Sequence, residues 1–195
     1  MAVQTRIGMP MDEFIREFDR APFELIDGER IVIMPPVYEH GAIWKSLFLP
    51  LSAYEQAHPE IIEVFSEQPF VLAYTSDWVS GSRVPDIMVY RTERIAAYRA
   101  QTPDFAHQPI ALVPDLCIEI VSQNDNYLEL EAKVDNYLAD GVKLIWVVNP
   151  RNKTVTVYTQ GSDQITRLRI DTTLSGGAVL PDFALPVKDI FPEQS

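Results

Sequence analysis

The stretch "PDLCIEIVSQNDNYLELEAKVDNYLADGVKLIWVVNP", residues 114–150, decides the fold. Leu116, Cys117, Ile118, Ile120 and Val121 make a run oily enough for a strand buried on both faces. After a polar break, Tyr127, Leu130, Val134, Tyr137 and Leu138 recur at helical spacing. They predict a helix over about 125–139 with a buried stripe, stopped at Gly141. "LIWVV" then reads as a second apolar strand over 143–148. Strand, helix and strand in this order form a βαβ-like unit. One residue does not belong: Glu119 sits in the middle of the first strand. A carboxylate buried there costs several kcal/mol unless a cation, a metal or hydrogen bonds compensate it.

Upstream, "PMDEFIREFDR" (10–20) predicts a short amphipathic helix, and "FELIDGERIVIM" (23–34) a hairpin turning at Asp27-Gly28. Pro35-Pro36 ends the hairpin. Ile43, Trp44, Leu47, Leu51 and Tyr54 mark a helix from Tyr38 to about His58, with a kink or break expected at Pro50. "IIEVFSE", "PFVLAY" and "VPDIMVY" are strand candidates, and 92–114 is a polar connection with a little helix. Downstream, "NPRNKTVTVYT", "QITRLRI" and "LPDFALPVKDIF" add strands. The pattern is that of an α/β or α+β fold around a mixed sheet, and a chain of 195 residues is expected to form a single domain over 1–195.

The 47% hydrophobic and 23% charged fractions are those of an ordinary globular protein. The single cysteine, Cys117, excludes an intramolecular disulfide framework. With no apolar run near the ~20 residues of a membrane span and no signal-peptide core at the N-terminus, a cytoplasmic location off the membrane is expected. The net charge of −12 argues against non-specific nucleic-acid binding, although it excludes neither a local basic groove nor an acidic Mg²⁺ site. There is no P-loop, dinucleotide-binding glycine fingerprint, Ser/His/Asp pattern or Cys/His zinc spacing.

What could face Glu119? Asp86 in "RVPDIMVY" is a second acid at the start of an apolar strand, after a proline. Lys133 lies at the edge of the helical stripe, roughly 40° round from Tyr137 at ~100° per residue, so its stem can run along the apolar face. Two carboxylates and a backbone carbonyl can hold Mg²⁺, and a lysine beside them can orient water and stabilise charge on a phosphate. Plainer roles compete: Asp86 as a turn cap, Glu119 and Lys133 as a metal-free ion pair, Lys133 as a solvated helix residue. Glu24 alternates with apolar residues and faces either solvent or the site, while Tyr137, one turn beyond Lys133, packs in the core or positions the lysine. Asp115, ~13 Å from Glu119 along the strand, reads as structural, and Ser122 as part of the turn or helix cap. Trp78, Trp146 and Tyr158 exceed what a small sheet face needs, which favours self-association as a homodimer.

The run from "FELIDGERIVIMPPVYEHGAI" through "VPDIMVY", "PDLCIEIVS", Lys133 and Tyr137 to "LIWVVNPRNKTVTVY" and "LPDFALPVKDIF" resembles the Uma-type restriction endonuclease family of the PD-(D/E)XK nuclease superfamily. The resemblance spans about 23–191 and implies a restriction-endonuclease-like core, a central mixed sheet flanked by helices. It implies Asp86 and Glu119 as the two acids, the main-chain carbonyl of Ile120 as third metal contact, and Mg²⁺ (or Mn²⁺) as cofactor. Where the superfamily carries its lysine, two residues after the second acid, this chain has Val121, and Lys133 is the implied replacement. His40 in "YEHGAIW" is implied to face the same edge, or else caps its helix. The activity implied is metal-dependent endonucleolytic cleavage of DNA; the alternative is a nuclease fold kept as a binding or regulatory module without turnover.

Overall fold

The computed structural model describes residues 7–122 and 126–192. The first half runs β1 (Met9–Pro10), α1 (Met11–Arg20), β2 (Phe23–Ile26), β3 (Glu29–Val32), α2 (Tyr38–Ala57), β4 (Ile62–Ser66), β5 (Phe70–Thr75), β6 (Trp78–Arg83) and β7 (Ile87–Arg91). The second runs α3 (Thr92–Gln101), β8 (Leu116–Ile120), α4 (Tyr127–Asp140), β9 (Leu144–Asn149), β10 (Thr154–Thr159), β11 (Thr166–Leu168), β12 (Thr173–Gly176) and β13 (Leu180–Pro186).

The opening stretch is the spine of a six-stranded sheet, ordered β11-β10-β9-β8-β7-β4. Parallel pairing of β8 with β9 needs a crossover, which α4 supplies; the other neighbours in this sheet pair antiparallel. Side chains alternate across the sheet, and both faces are covered. Ile118, Ile120, Trp146, Val148 and Val155 pack towards Ile43, Leu47 and Leu51 of α2 and the β12–β13 hairpin. Met88, Tyr90, Cys117, Ile145 and Val147 pack with Val134 and Tyr137 of α4. This two-sided burial explains the near-continuous apolar run of β8. The fold is therefore the expected mixed α+β arrangement of a sheet flanked by helices.

A second sheet, of five strands, is ordered β1-β6-β2-β3 with β5 also on β6. Phe14 of α1 packs into it beside Phe23, Leu25 and Val79. The β2–β3 turn holds Asp27 and Gly28 in the left-handed region (φ 51° and 86°), as a two-residue hairpin turn requires.

Four local expectations need correction. Pro50 does not break α2, which runs unbroken from Tyr38 to Ala57. The lost N–H is outweighed by burial of Leu47 and Leu51 on either side of it. Tyr127 is 67% exposed, so the buried stripe of α4 starts later than its spacing predicted. The cap of α4 is Asn126, whose Oδ1 accepts from the Leu128 amide at 3.0 Å, rather than Ser122; the predicted helix start at 125 lies outside the described residues. Trp146 is fully buried near Phe183 (ring centroids 6.0 Å), so it belongs to the core and offers nothing to a partner.

Candidate active site

Ile87 of β7 stands opposite Ile118 of β8. One step further along this antiparallel register brings Asp86 opposite Glu119, and residues so opposed project to the same face. The Asp86 carboxylate is fixed from two directions. Its Oδ2 accepts from the Ile120 amide at 2.7 Å, and its Oδ1 lies 3.1 Å from His40 Nε2. The Asp86 carbonyl accepts from Trp44 Nε1 at 3.3 Å, which ties the first turns of α2 to the same point. Asp86 thus bridges two strands and a helix, more than a turn cap would.

Glu119 is 7% exposed and answers the question its sequence context raised. Lys133 Nζ donates to Oε2 at 2.8 Å, and the Tyr137 hydroxyl donates to Oε1 at 2.5 Å. Lys133 and Tyr137 are one turn apart on α4, and that spacing lets one helix grip both oxygens. Tyr137 therefore holds the acid directly instead of positioning the lysine. Glu24, also 7% exposed, accepts from the Val84 amide at 2.9 Å and lies 3.7 Å from Lys133 Nζ. It points into the site and not to solvent. At the far end of α4, Asp140 lies 3.1 Å from Arg83 Nε of β6, so α4 is tied to both sheets.

Burial pushes the Glu119 carboxyl up, Lys133 pulls it down, and Asp86 and Glu24 push it up again; the net shift is upward. Burial alone would lower the Lys133 ammonium, but Glu119 and Glu24 outweigh it and keep it protonated. Burial and then the Glu119 charge also raise the Tyr137 hydroxyl, which stays a donor.

All six side chains singled out from the sequence, Glu24, His40, Asp86, Glu119, Lys133 and Tyr137, belong to one contact network. Trp44 and Val84 were missed. Trp44 reads as one more core aromatic, and Val84 contributes only a backbone N–H, which no sequence pattern advertises. Asp115 is structural as expected: it is fully buried, with Arg94 at 2.7 Å and Lys143 at 2.8 Å.

Does the donor set fit a divalent cation? Among the described residues no group of three or more His, Cys, Asp and Glu side chains is arranged around a common metal position. Mg²⁺ asks for less, namely one or two carboxylates with water completing its shell. Asp86 and Glu119 supply hard oxygens, and each carboxylate oxygen keeps a second lone pair beyond its present hydrogen bond. Ile120 ends β8 between them. The chemistry of the set fits.

Comparison with known proteins bears on the family and the fold. The pattern of the Uma2 family, described as "Putative restriction endonuclease", matches residues 12–188. A solved structure described as a "putative nuclease belonging to DUF820 from Anabaena variabilis ATCC 29413" superposes with a TM-score of 0.73 at 23% identity. The match covers 94% of this chain and 97% of that one, and it establishes the fold. No curated protein matches. With the family pattern running from α1 to the last helical turn, the chain belongs to the Uma2 family of restriction-endonuclease-like proteins.

Proposed function

We propose that this protein is a divalent-metal-dependent endonuclease that hydrolyses phosphodiester bonds in DNA, acting in the cytoplasm as a homodimer. The observation that carries the proposal is that Lys133 Nζ lies 2.8 Å from Glu119, which stands opposite Asp86 in the β7–β8 register. Asp86, Glu119 and the Ile120 carbonyl would hold Mg²⁺ or Mn²⁺. Such a cation, when bound, neutralises charge on the phosphate and makes water acidic enough to attack.

The remaining chemistry belongs to the chain. Lys133 presents a permanent cation beside the acids, where it can orient water and stabilise the charge that builds up in the transition state. Tyr137 keeps its proton directed at Glu119 Oε1 while Lys133 holds Oε2, so the second lone pair of each oxygen is what the carboxylate can offer a cation. The Ile120 amide and His40 fix the Asp86 carboxylate so that little reorganisation is needed during reaction.

The second reading is a binding module without turnover. It is favoured by one observation: Lys133 already neutralises Glu119 at 2.8 Å with no cation needed. Incubation of single- and double-stranded DNA with Mg²⁺, Mn²⁺ or EDTA, in parallel with Asp86→Asn and Glu119→Gln, decides. Metal-dependent cleavage lost in both variants supports the endonuclease. No cleavage with either metal, together with no Mg²⁺ binding by calorimetry, supports the binding module.

A further inference from the structure

Outside the six-residue site, the positive charge of this acidic chain is unevenly used. Arg16, Arg20, Arg30, Arg83, Arg94, Arg99 and Lys143 each face a carboxylate. Lys45, Arg91 and Lys188 have no carboxylate partner among the described residues and lie apart from one another, whereas Arg151, Lys153, Arg167 and Arg169 form a cluster. All four are exposed, and none has an ion pair among the described residues. They crowd into residues 149–169, where Asp163 is the only acid, although the whole chain carries −12.

The fold places this charge next to the acids. A cleft of about 580 Å³ is walled by Val121 and Ser122 beyond the end of β8, Tyr127 and Leu130 of α4, and Arg151 and Lys153 of the β9–β10 turn. Val121 is two residues past Glu119, about 7 Å along the strand. Among the described residues Glu39 is the single carboxylate in the lining. The turn is built to hold its charges outward. Asn149 Oδ1 accepts from the Asn152 amide at 3.1 Å, and Lys153 sits in the left-handed region (φ 48°), a small backbone cost for a residue with a Cβ. Beside it, Arg167 and Arg169 line a second concavity of about 280 Å³ with Asn152 and Thr154.

Register gives the separation. Glu119 pairs with Val147, Val147 with Thr156, and Thr156 with Arg167, so three strand spacings, about 14 Å, separate Glu119 from Arg167. Val147 and Thr156 between them are buried, so a strand reaching from the acids to Arg167 passes over the exposed Arg151–Lys153 turn and not along the row. At about 3.4 Å per nucleotide that separation corresponds to about four nucleotides, the scale of an extended polyanion and not of a single phosphate.

We infer that this cleft and the adjoining β9–β11 surface seat a nucleic-acid backbone, with Arg151 and Lys153 contacting phosphates next to the scissile bond and Arg167 and Arg169 contacting phosphates farther along the strand. The inference rests on the proposed nuclease reading and assigns its substrate-holding surface. Base-independent contacts of this kind position a strand and carry the salt dependence of binding.

The test uses the intact protein and fluorescein-labelled 20-base-pair and 20-nucleotide DNA. Anisotropy is read in EDTA from 50 to 200 mM KCl, and cleavage in Mg²⁺. Arg151→Ala/Lys153→Ala and Arg167→Ala/Arg169→Ala should each reduce the duplex salt slope by about 2, at roughly 0.9 per lost phosphate contact. Each should weaken binding about tenfold or more at 100 mM salt and raise KM while leaving kcat and the urea midpoint near wild type. Lys188→Ala, an exposed cation in the C-terminal helical turn, should change neither slope nor affinity. Wild-type slopes and affinities in both double variants would overturn the inference while leaving the nuclease reading intact. DNA binding lost in the double variants, in a wild-type protein that cleaves nothing, would support the inference and remove the nuclease reading. A wild-type protein that binds neither DNA removes both.

Discussion

Replacing Lys133 with methionine separates the two duties assigned to that residue. The apolar stem is kept, so the packing of α4 along Val134 and Tyr137 should survive. What is lost is a cation 2.8 Å from Glu119 and 3.7 Å from Glu24. At an effective dielectric near 20 the first contact alone is about 6 kcal/mol of gross attraction. The net loss is smaller, because the buried carboxyl can bind a proton. In wild type burial already raises its folded pKa to about 7, so up to pH 7 both proteins bear nearly the same cost of holding the carboxyl neutral. They diverge above it, by about 1.36 kcal/mol per pH unit, until the variant's own higher folded pKa is reached. We therefore expect a small deficit at pH 7 in EDTA that opens to about 2–3 kcal/mol by pH 9. Mg²⁺ at a hundred times its Kd should return up to about 2.7 kcal/mol. Cleavage should fall about 10²-fold or more and should not recover with excess metal. Urea denaturation at pH 7 and 9, with and without Mg²⁺, and plasmid cleavage test all of this. A deficit independent of both pH and metal, with cleavage unchanged or absent, would refute the reasoning and leave Lys133 as a structural counter-ion.

Tyr137→Phe keeps the ring near Phe70 (centroids 6.2 Å) but removes the donor to Glu119, so a loss of about 1.5–3 kcal/mol in the urea midpoint is expected. For Asp115, burial raises the carboxyl, but the Arg91 amide, Lys143 and Arg94 outweigh it and the net shift is downward. Its stabilisation is therefore full above pH ~4 and disappears as pH falls through the lower folded value. Asp115→Asn should cost about 2–4 kcal/mol at pH 7, with the gap to wild type narrowing below pH 4; a gap constant down to pH 2 would contradict this. Leu47→Ala empties a fully buried position between α2 and the sheet and should cost about 2–5 kcal/mol without changing metal-dependent cleavage at 25 °C.

The opening stretch was readable because its periods are strong: a run buried on both faces, a helical stripe, a glycine stop and a second run. Glu119 stood out because nothing else in that strand is charged. Other parts carry weaker signals. The strand "WVSGSR" was not anticipated, because Ser80, Gly81 and Ser82 dilute its apolar alternation, yet Val79 is buried and Ser82 Oγ accepts from the Leu25 amide at 2.8 Å. Pro50 was overweighted because the local penalty is visible in sequence and the packing that overrides it is not. Tyr127 matched the helical spacing but lies in the first turn, beyond the edge of the sheet that would cover it. Glu24 was ambiguous for the same reason: its burial comes from Val84, 60 positions away, and local alternation cannot report on so distant a partner.

The crossover that makes β8 and β9 parallel also sets the order in which the candidate site can assemble. Glu119 and Lys133 are 14 positions apart, Asp86 and Ile120 are 34 apart, and Glu24 and Val84 are 60 apart. The entropy of closing a loop must be met before each contact returns any energy, and it grows with that separation. A partly folded or locally opened chain can hold the near pair, but without the long closures it holds no assembled site. The assembled site is thus a property of the finished tertiary structure alone, and a variant with weakened long-range pairing should lose it before it unfolds.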